Sequence, residues 1–172
     1  MIIVYIDGSN LHKGVEGLGW NLDYARFHTY LKDKYKVDRV YLFLGMISKY
    51  KNLYTKLQEF GYTLVFKETT YDGEGKVKGN CDAMLVHKIT CDFYEKQITK
   101  CILVSSDGDY AELTQFLKEK RVFKLLISPS NKCSFLLRKQ NIPILYLDTQ
   151  KNKLAIKEKA PGEDETSQGS FS

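Results

Sequence analysis

No stretch of the 172-residue sequence approaches the roughly 20 consecutive apolar residues needed to cross a bilayer. The opening M-I-I-V-Y-I-D-G-S-N has neither a basic n-region nor a small-residue cleavage site, so a soluble, unprocessed, cytoplasmic protein with no membrane partner is expected. The four cysteines, Cys81, Cys91, Cys101 and Cys133, form no C-x-x-C pair, and His12, His28 and His87 fall in no H-E-x-x-H or zinc-ligand spacing. Reduced, mostly buried thiols are the expectation. The sequence also lacks G-x-x-x-x-G-K-[ST], G-x-G-x-x-G and G-x-S-x-G, which argues against a nucleotide-fuelled enzyme, a dinucleotide enzyme and a serine hydrolase.

What is present is an average globular composition, 43% apolar and 27% charged, in a length that suits one domain. The net charge is +5. Residues 151–172 hold four lysines and four acids, so the body alone carries that excess. A mildly basic body suits a polyanion and plain solubility equally.

Apolar runs rich in β-branched and aromatic residues fall at Ile2–Ile6, Arg39–Leu44, Thr63–Lys67, Cys101–Ser105, Phe123–Ser128 and Ile144–Leu147. Helical patterns fall between them at about Leu22–Tyr35, Tyr50–Phe60, Asp82–Lys96, Tyr110–Glu119 and Asn131–Lys139. That alternation reads as βαβ units: an α/β, three-layer Rossmann-like fold, with a mostly parallel central sheet and helices on both faces. Right-handed crossovers put the first run beside the fourth. Asn21 is placed to cap the first helix, Gly61 to end the second as a C′ glycine, and Asp109-x-x-Glu112 to open another. The glycine-rich segment Tyr71–Asn80 reads as an exposed loop. The domain is expected over residues 1–149, with a disordered polar tail over 150–172.

The aspartates fall where strands end. Asp7 follows the first run in I-I-V-Y-I-D-G-S-N, and Asp107 and Asp109 follow the fourth in I-L-V-S-S-D-G-D-Y. Asp82 opens a helix after K-V-K-G-N-C-D. In an open doubly wound sheet, ligands bind at the carboxyl ends of the strands where the strand order reverses. Any one of these acids could be a turn residue, a helix cap or a macrodipole partner. Three separate segments delivering carboxylates to one edge point instead to a divalent cation, because unit charges about 4 Å apart repel by ~4 kcal/mol at an effective dielectric near 20. Oxygen ligands with few histidines favour Mg²⁺ or Mn²⁺. Such an ion supports attack of water on a phosphodiester. Lys76, Lys78, Lys132, Arg138 and Lys139 could hold a phosphate backbone around the acids, and Tyr50, Tyr54 and Tyr71 could stack on bases. Each is equally an ordinary surface or core residue.

The ordered set Asp7-Gly-Ser-Asn10, Lys78-Gly-Asn-Cys-Asp82 and Ser105-Ser-Asp-Gly-Asp109 resembles the NYN domain of the PIN-like nucleases, in particular its LabA-like branch. The resemblance runs from Met1 to about Leu147 and includes S-P-S-N-K-C-S-F-L-L-R-K. It implies an Mg²⁺- or Mn²⁺-dependent ribonuclease whose acidic pocket is Asp7, Asp82, Asp107 and Asp109. Asn10 and Ser105 would support that pocket, and Lys78, Lys132 and Arg138 would contact substrate. The implied partner is RNA, read here as single-stranded, and a second copy of the chain is compatible. Members sharing K-G-N-x-D often carry Glu two residues after the Asp. Met84 stands there, which leaves one-metal catalysis or reduced activity open; because family membership does not guarantee turnover, a catalytically weak or inactive RNA-binding or regulatory domain is the alternative. A phosphatase or phosphotransfer domain is the other alternative, although the first strand ends D-G-S rather than D-x-D.

Overall fold

The computed structural model describes residues 1–67, 70–71, 77–78 and 81–157. Among the described residues eight strands run in chain order: β1 (Ile2–Asp7), β2 (Arg39–Gly45), β3 (Thr63–Lys67), β4 (Thr70–Tyr71), β5 (Val77–Lys78), β6 (Lys100–Val104), β7 (Phe123–Ser128) and β8 (Ile144–Tyr146). Seven α-helices accompany them: α1 (Gly8–Glu16), α2 (Tyr24–Tyr35), α3 (Lys51–Glu59), α4 (Asp82–Tyr94), α5 (Ala111–Glu119), α6 (Phe135–Arg138) and α7 (Lys151–Leu154).

Six strands form one all-parallel sheet in the order β3-β2-β1-β6-β7-β8. The central strands are apolar at nearly every position because helices cover both faces. Alternate residues feed two cores. Val4, Ile6, Val40, Leu42, Ile102 and Val104 pack against Leu11, Phe27, Leu31 and Leu57 of α1, α2 and α3. On the other face Ile3, Tyr5, Tyr41, Phe43 and Leu103 pack against Leu85, Ile89, Leu113 and Leu117 of α4 and α5. Each such aliphatic or aromatic side chain contributes about 1.5–3 kcal/mol by leaving water. The order reverses between β1 and β6, so the crevice at their carboxyl ends is the switch point.

All six expected strands of the main sheet are present, and β1 lies beside β6, the fourth of them. Gly61 takes φ +102°, and the amides of Gly61 and Tyr62 return to the carbonyls of Gln58 and Leu57, a Schellman ending for α3.

Other elements differ from expectation. Helix α1 starts straight from β1, where no helix was expected. Glycines and Asn10 hide it by low propensity, yet Leu11 and Val15, four residues apart, are buried together on one face. Asp23, not Asn21, caps α2 by accepting from Arg26 N at 3.0 Å. The expected capping box at Asp109 is absent: Asp107 caps the 3₁₀ turn Gly108–Tyr110, and α5 follows with Tyr110 at its N-cap. The last predicted helix contracts from Asn131–Lys139 to Phe135–Arg138, because Ser134 caps it by accepting from Leu136 N.

The segment read as a loop contains an antiparallel pairing of β4 with β5; residues 72–76, Lys76 among them, and 79–80 lie outside the described residues. Packing also continues past residue 149. In α7, Leu154 is 1% exposed within the first core, and Leu22 bridges to Ala155. One buried leucine anchors a polar stretch there. Residues 158–172 of the expected tail lie outside the described residues.

A candidate metal centre at the switch point

The register Ile6↔Val104 puts Asp7 and Ser105 level at the ends of adjacent strands. Asp7 ends β1, is 6% exposed, and caps α1 through Oδ1, which accepts from Asn10 N at 3.0 Å. Gly8 is required at the next position. A Cβ there would come within 2.6 Å of the Phe43 carbonyl oxygen and overlap the Leu44 side chain.

On the neighbouring strand, Ser105 is fully buried and its Oγ accepts from Asp107 N at 3.1 Å. The Asp107 Oδ1 accepts from Asp109 N at 3.0 Å, so the S-S-D-G-D turn is wound around its own polar side chains. Asn10 joins the two strand ends: its Oδ1 accepts from Ser106 N at 2.9 Å and from Ser106 Oγ at 3.0 Å.

Asp82 arrives from α4 at its first helical position, where a carboxylate suits the helix macrodipole. Ten residues further along, Asp92 is 2% exposed and holds the helix to the sheet. Its Oδ2 accepts from the Tyr5 hydroxyl of β1 at 2.7 Å, and its Oδ1 accepts from Lys88 Nζ at 2.6 Å. That clamp fixes the height of α4 on β1, and with it the position of Asp82.

One carboxylate oxygen from each of Asp82, Asp107 and Asp109 lies within 4.8 Å of the other two, with Asp82 and Asp107 half-buried and Asp109 exposed. Around Mg²⁺ with oxygens at 2.0–2.1 Å, neighbouring ligands sit about 3 Å apart and opposite ones about 4 Å. Three oxygens gathered within 4.8 Å can supply part of such a shell once the side chains draw inward, with water and substrate completing it. Asp7 stands outside this triad of the four expected ligands, in contact with it through the Tyr110 hydroxyl. That hydroxyl lies 2.6 Å from Asp82 Oδ1 and 3.2 Å from Asp7 Oδ2.

Tyr110 went unnoticed in the sequence, although it directly follows D-G-D. Burial first, then the charges of Asp7 and Asp82, push its pKa far above the ordinary tyrosine value, so it keeps its proton and donates. A single proton cannot fully satisfy two carboxylates. Burial raises the pKa of Asp7, with the charges of Asp82 and Asp107 acting in the same direction, against the lowering by the Asn10 amide and the Tyr110 hydroxyl. Burial also pushes the adjacent Cys81 thiol up to about 11, which suits a packing role.

The other expected residues are more peripheral. Lys132 is exposed in the loop after β7, and Arg138 is exposed on α6, its Nε donating to the Cys133 carbonyl at 3.1 Å. Lys78 lies in β5, and its side chain is outside what is described. Met84 is half-buried against the second core. Of the tyrosines considered for stacking, Tyr54 is buried, with its hydroxyl on the loop after β2.

The NYN domain family matches residues 1–144. Among curated proteins no relative matches significantly. A crystal structure of a Vibrio parahaemolyticus protein of unknown function is similar in fold, with a TM-score of 0.74 at 19% identity, over 90% of this chain and 95% of that one.

Proposed function

Because the chain belongs to the NYN domain family, within the PIN-like nucleases, we propose that it hydrolyses RNA phosphodiester bonds at the acidic triad. The observation that carries this reading is the meeting of Asp82, Asp107 and Asp109 at the switch point, from α4 and from the turn after β6. The finer assignment to the LabA-like branch rests on the Ser128–Lys139 stretch and the K-G-N-C-D motif.

A Mg²⁺ or Mn²⁺ ion held by the triad would lower the pKa of a bound water and neutralise charge building on the phosphoryl oxygens. The chain's own groups prepare that step. Asn10 and Ser105 set the Asp107–Asp109 turn through the bonds to Ser106 and to the Asp107 amide. Tyr110 holds Asp82 with its hydroxyl, and Asp7 adds negative charge behind it. Arg138 and Lys132, with Lys78, hold backbone phosphates. With Met84 where a fourth outer acid could stand, a single ion is the favoured stoichiometry. The substrate pool on this reading is cytoplasmic RNA.

The test is incubation of the purified protein with labelled single-stranded RNA and DNA in Mg²⁺, Mn²⁺ or EDTA, beside Asp107→Asn. Cleavage of RNA that needs metal and fails in the variant supports the enzyme. Metal-dependent RNA binding without cleavage supports the alternative, an RNA-binding domain that has lost turnover.

A further inference from the structure

Helix α6 presents a surface that the acidic centre does not use. Of its four residues Leu137 is fully buried, whereas Phe135 is 65% exposed and Leu136 45% exposed. Two adjacent large apolar side chains left in water on one short helix form a patch rather than scattered exposure.

The patch is tied to the acidic centre. Ser134, which caps α6, donates its amide to the Ser106 carbonyl at 3.0 Å, one residue before Asp107. Gly108, inside the D-G-D turn, lets α6 come close: a Cβ there would lie 3.2 Å from Ser134 Cβ and 3.3 Å from Leu136 Cδ1. The Arg138 guanidinium carbon lies 5.9 Å from the centre of the Phe135 ring, and its Nε bond to the Cys133 carbonyl keeps the charge beside that ring. Lys132, three residues before Phe135, and Lys139, directly after α6, are both exposed.

We infer that Phe135 is a stacking platform for an unpaired base of the RNA strand whose phosphate reaches the acidic triad, with Arg138 holding a neighbouring phosphate. An aromatic ring flanked by cations suits a nucleic-acid strand, because every base offers a π face while the backbone requires positive charge. The apolar side of a protein partner would have to bury those cations. A duplex keeps its base faces stacked on one another, so the platform selects single strands. This inference rests on the reading of the triad as a ribonuclease centre, and it adds the residue through which a single strand is read.

The test is fluorescence anisotropy of a short labelled RNA with the full chain in EDTA, where turnover is absent, for wild type, Phe135→Ala, Phe135→Leu and Phe135→Trp. Phe135→Ala is expected to weaken binding about tenfold, within the range measured for single stacking residues. Phe135→Leu should be as weak, and Phe135→Trp should restore affinity. A base-free ribose-phosphate oligomer and an RNA duplex should bind wild type and Phe135→Ala alike. Equal affinity of wild type and Phe135→Ala, full function of Phe135→Leu, or an equal loss on the base-free oligomer would overturn the stacking role. So would a change from dimer to monomer in Phe135→Ala with RNA affinity intact, which would make the patch an interface between copies. RNA cleavage by the wild type in Mn²⁺, run in parallel, separates the two readings. Wild-type cleavage with no effect of Phe135 defeats the platform alone, whereas a wild type that neither binds nor cleaves RNA defeats both.

Discussion

Replacing Asp7 by Asn separates a residue kept for charge from one kept for shape. The asparagine Oδ1 can still cap α1 by accepting from the Asn10 amide, since Asn and Asp are comparable N-caps. Its Nδ2 can donate to the Tyr110 oxygen, which now faces two carboxylates with one proton. Asp7 and Asp82 both touch that oxygen, so their carboxylates are no more than about 6 Å apart. At an effective dielectric near 20 the repulsion is about 3 kcal/mol. Half-exposed Asp82 screens part of it, leaving about 1–2 kcal/mol. In EDTA near neutral pH, Asp7→Asn should therefore melt about 2–8 °C above wild type, given 2–4 °C per kcal/mol for a chain of this size.

The pH dependence follows from the raised pKa of Asp7. Below its unfolded value, near 3.9, wild-type Asp7 is neutral in both states and the two proteins should be equally stable. As pH rises through the raised folded value the wild type loses stability, and the advantage of the variant grows. Millimolar Mn²⁺ should then reverse the order, because an ion at 100 times its Kd adds about 2.7 kcal/mol to the native state and Asp7 strengthens the field that attracts it. Thermal melts over pH 4–8, with and without Mn²⁺, measure all of this. An Asp7→Asn protein less stable than wild type at every pH in EDTA would refute the repulsion argument and leave Asp7 as a turn residue.

Gly8→Ala should destabilise by about 1–3 kcal/mol in urea unfolding, since its Cβ has no space against Phe43 and Leu44; a neutral result would mean that α1 can tilt freely. Leu154→Ala should cost about 2–4 kcal/mol by leaving a cavity beneath α7, whereas an unchanged denaturation midpoint would show that the domain ends before that helix. Tyr110→Phe keeps the buried ring but removes the hydroxyl that holds Asp82. Calorimetric titration should show Mn²⁺ binding about tenfold weaker, in the range seen when a group behind a metal ligand is removed. Unchanged affinity would show that Asp82 is held by other contacts.

Much of the fold was legible because buried parallel strands write themselves as apolar runs, and the meeting of Asp82, Asp107 and Asp109 was legible because acids follow such a run or open a helix. The hidden parts share a cause: each depends on one residue whose partner is far away in the chain. Leu154 is a single apolar anchor in a polar stretch, which composition reads as tail. Tyr110 looks like core, and only the fold aims its hydroxyl between Asp7 and Asp82. The Asn10–Ser106 bonds span 96 residues. Helix α1 was obscured by local propensity, which tertiary burial of Leu11 and Val15 overrides.

The most direct test of the central claim is the single-turnover rate of RNA cleavage as a function of free Mn²⁺, for wild type and Asp82→Asn. The account predicts a rate that rises with Mn²⁺ and saturates as one ion binds. It also predicts a loss of at least about a hundredfold in the variant, on the scale of removing one preorganised electrostatic group. Cleavage that persists in EDTA, or an Asp82→Asn protein as fast as wild type at every Mn²⁺ concentration, would contradict it.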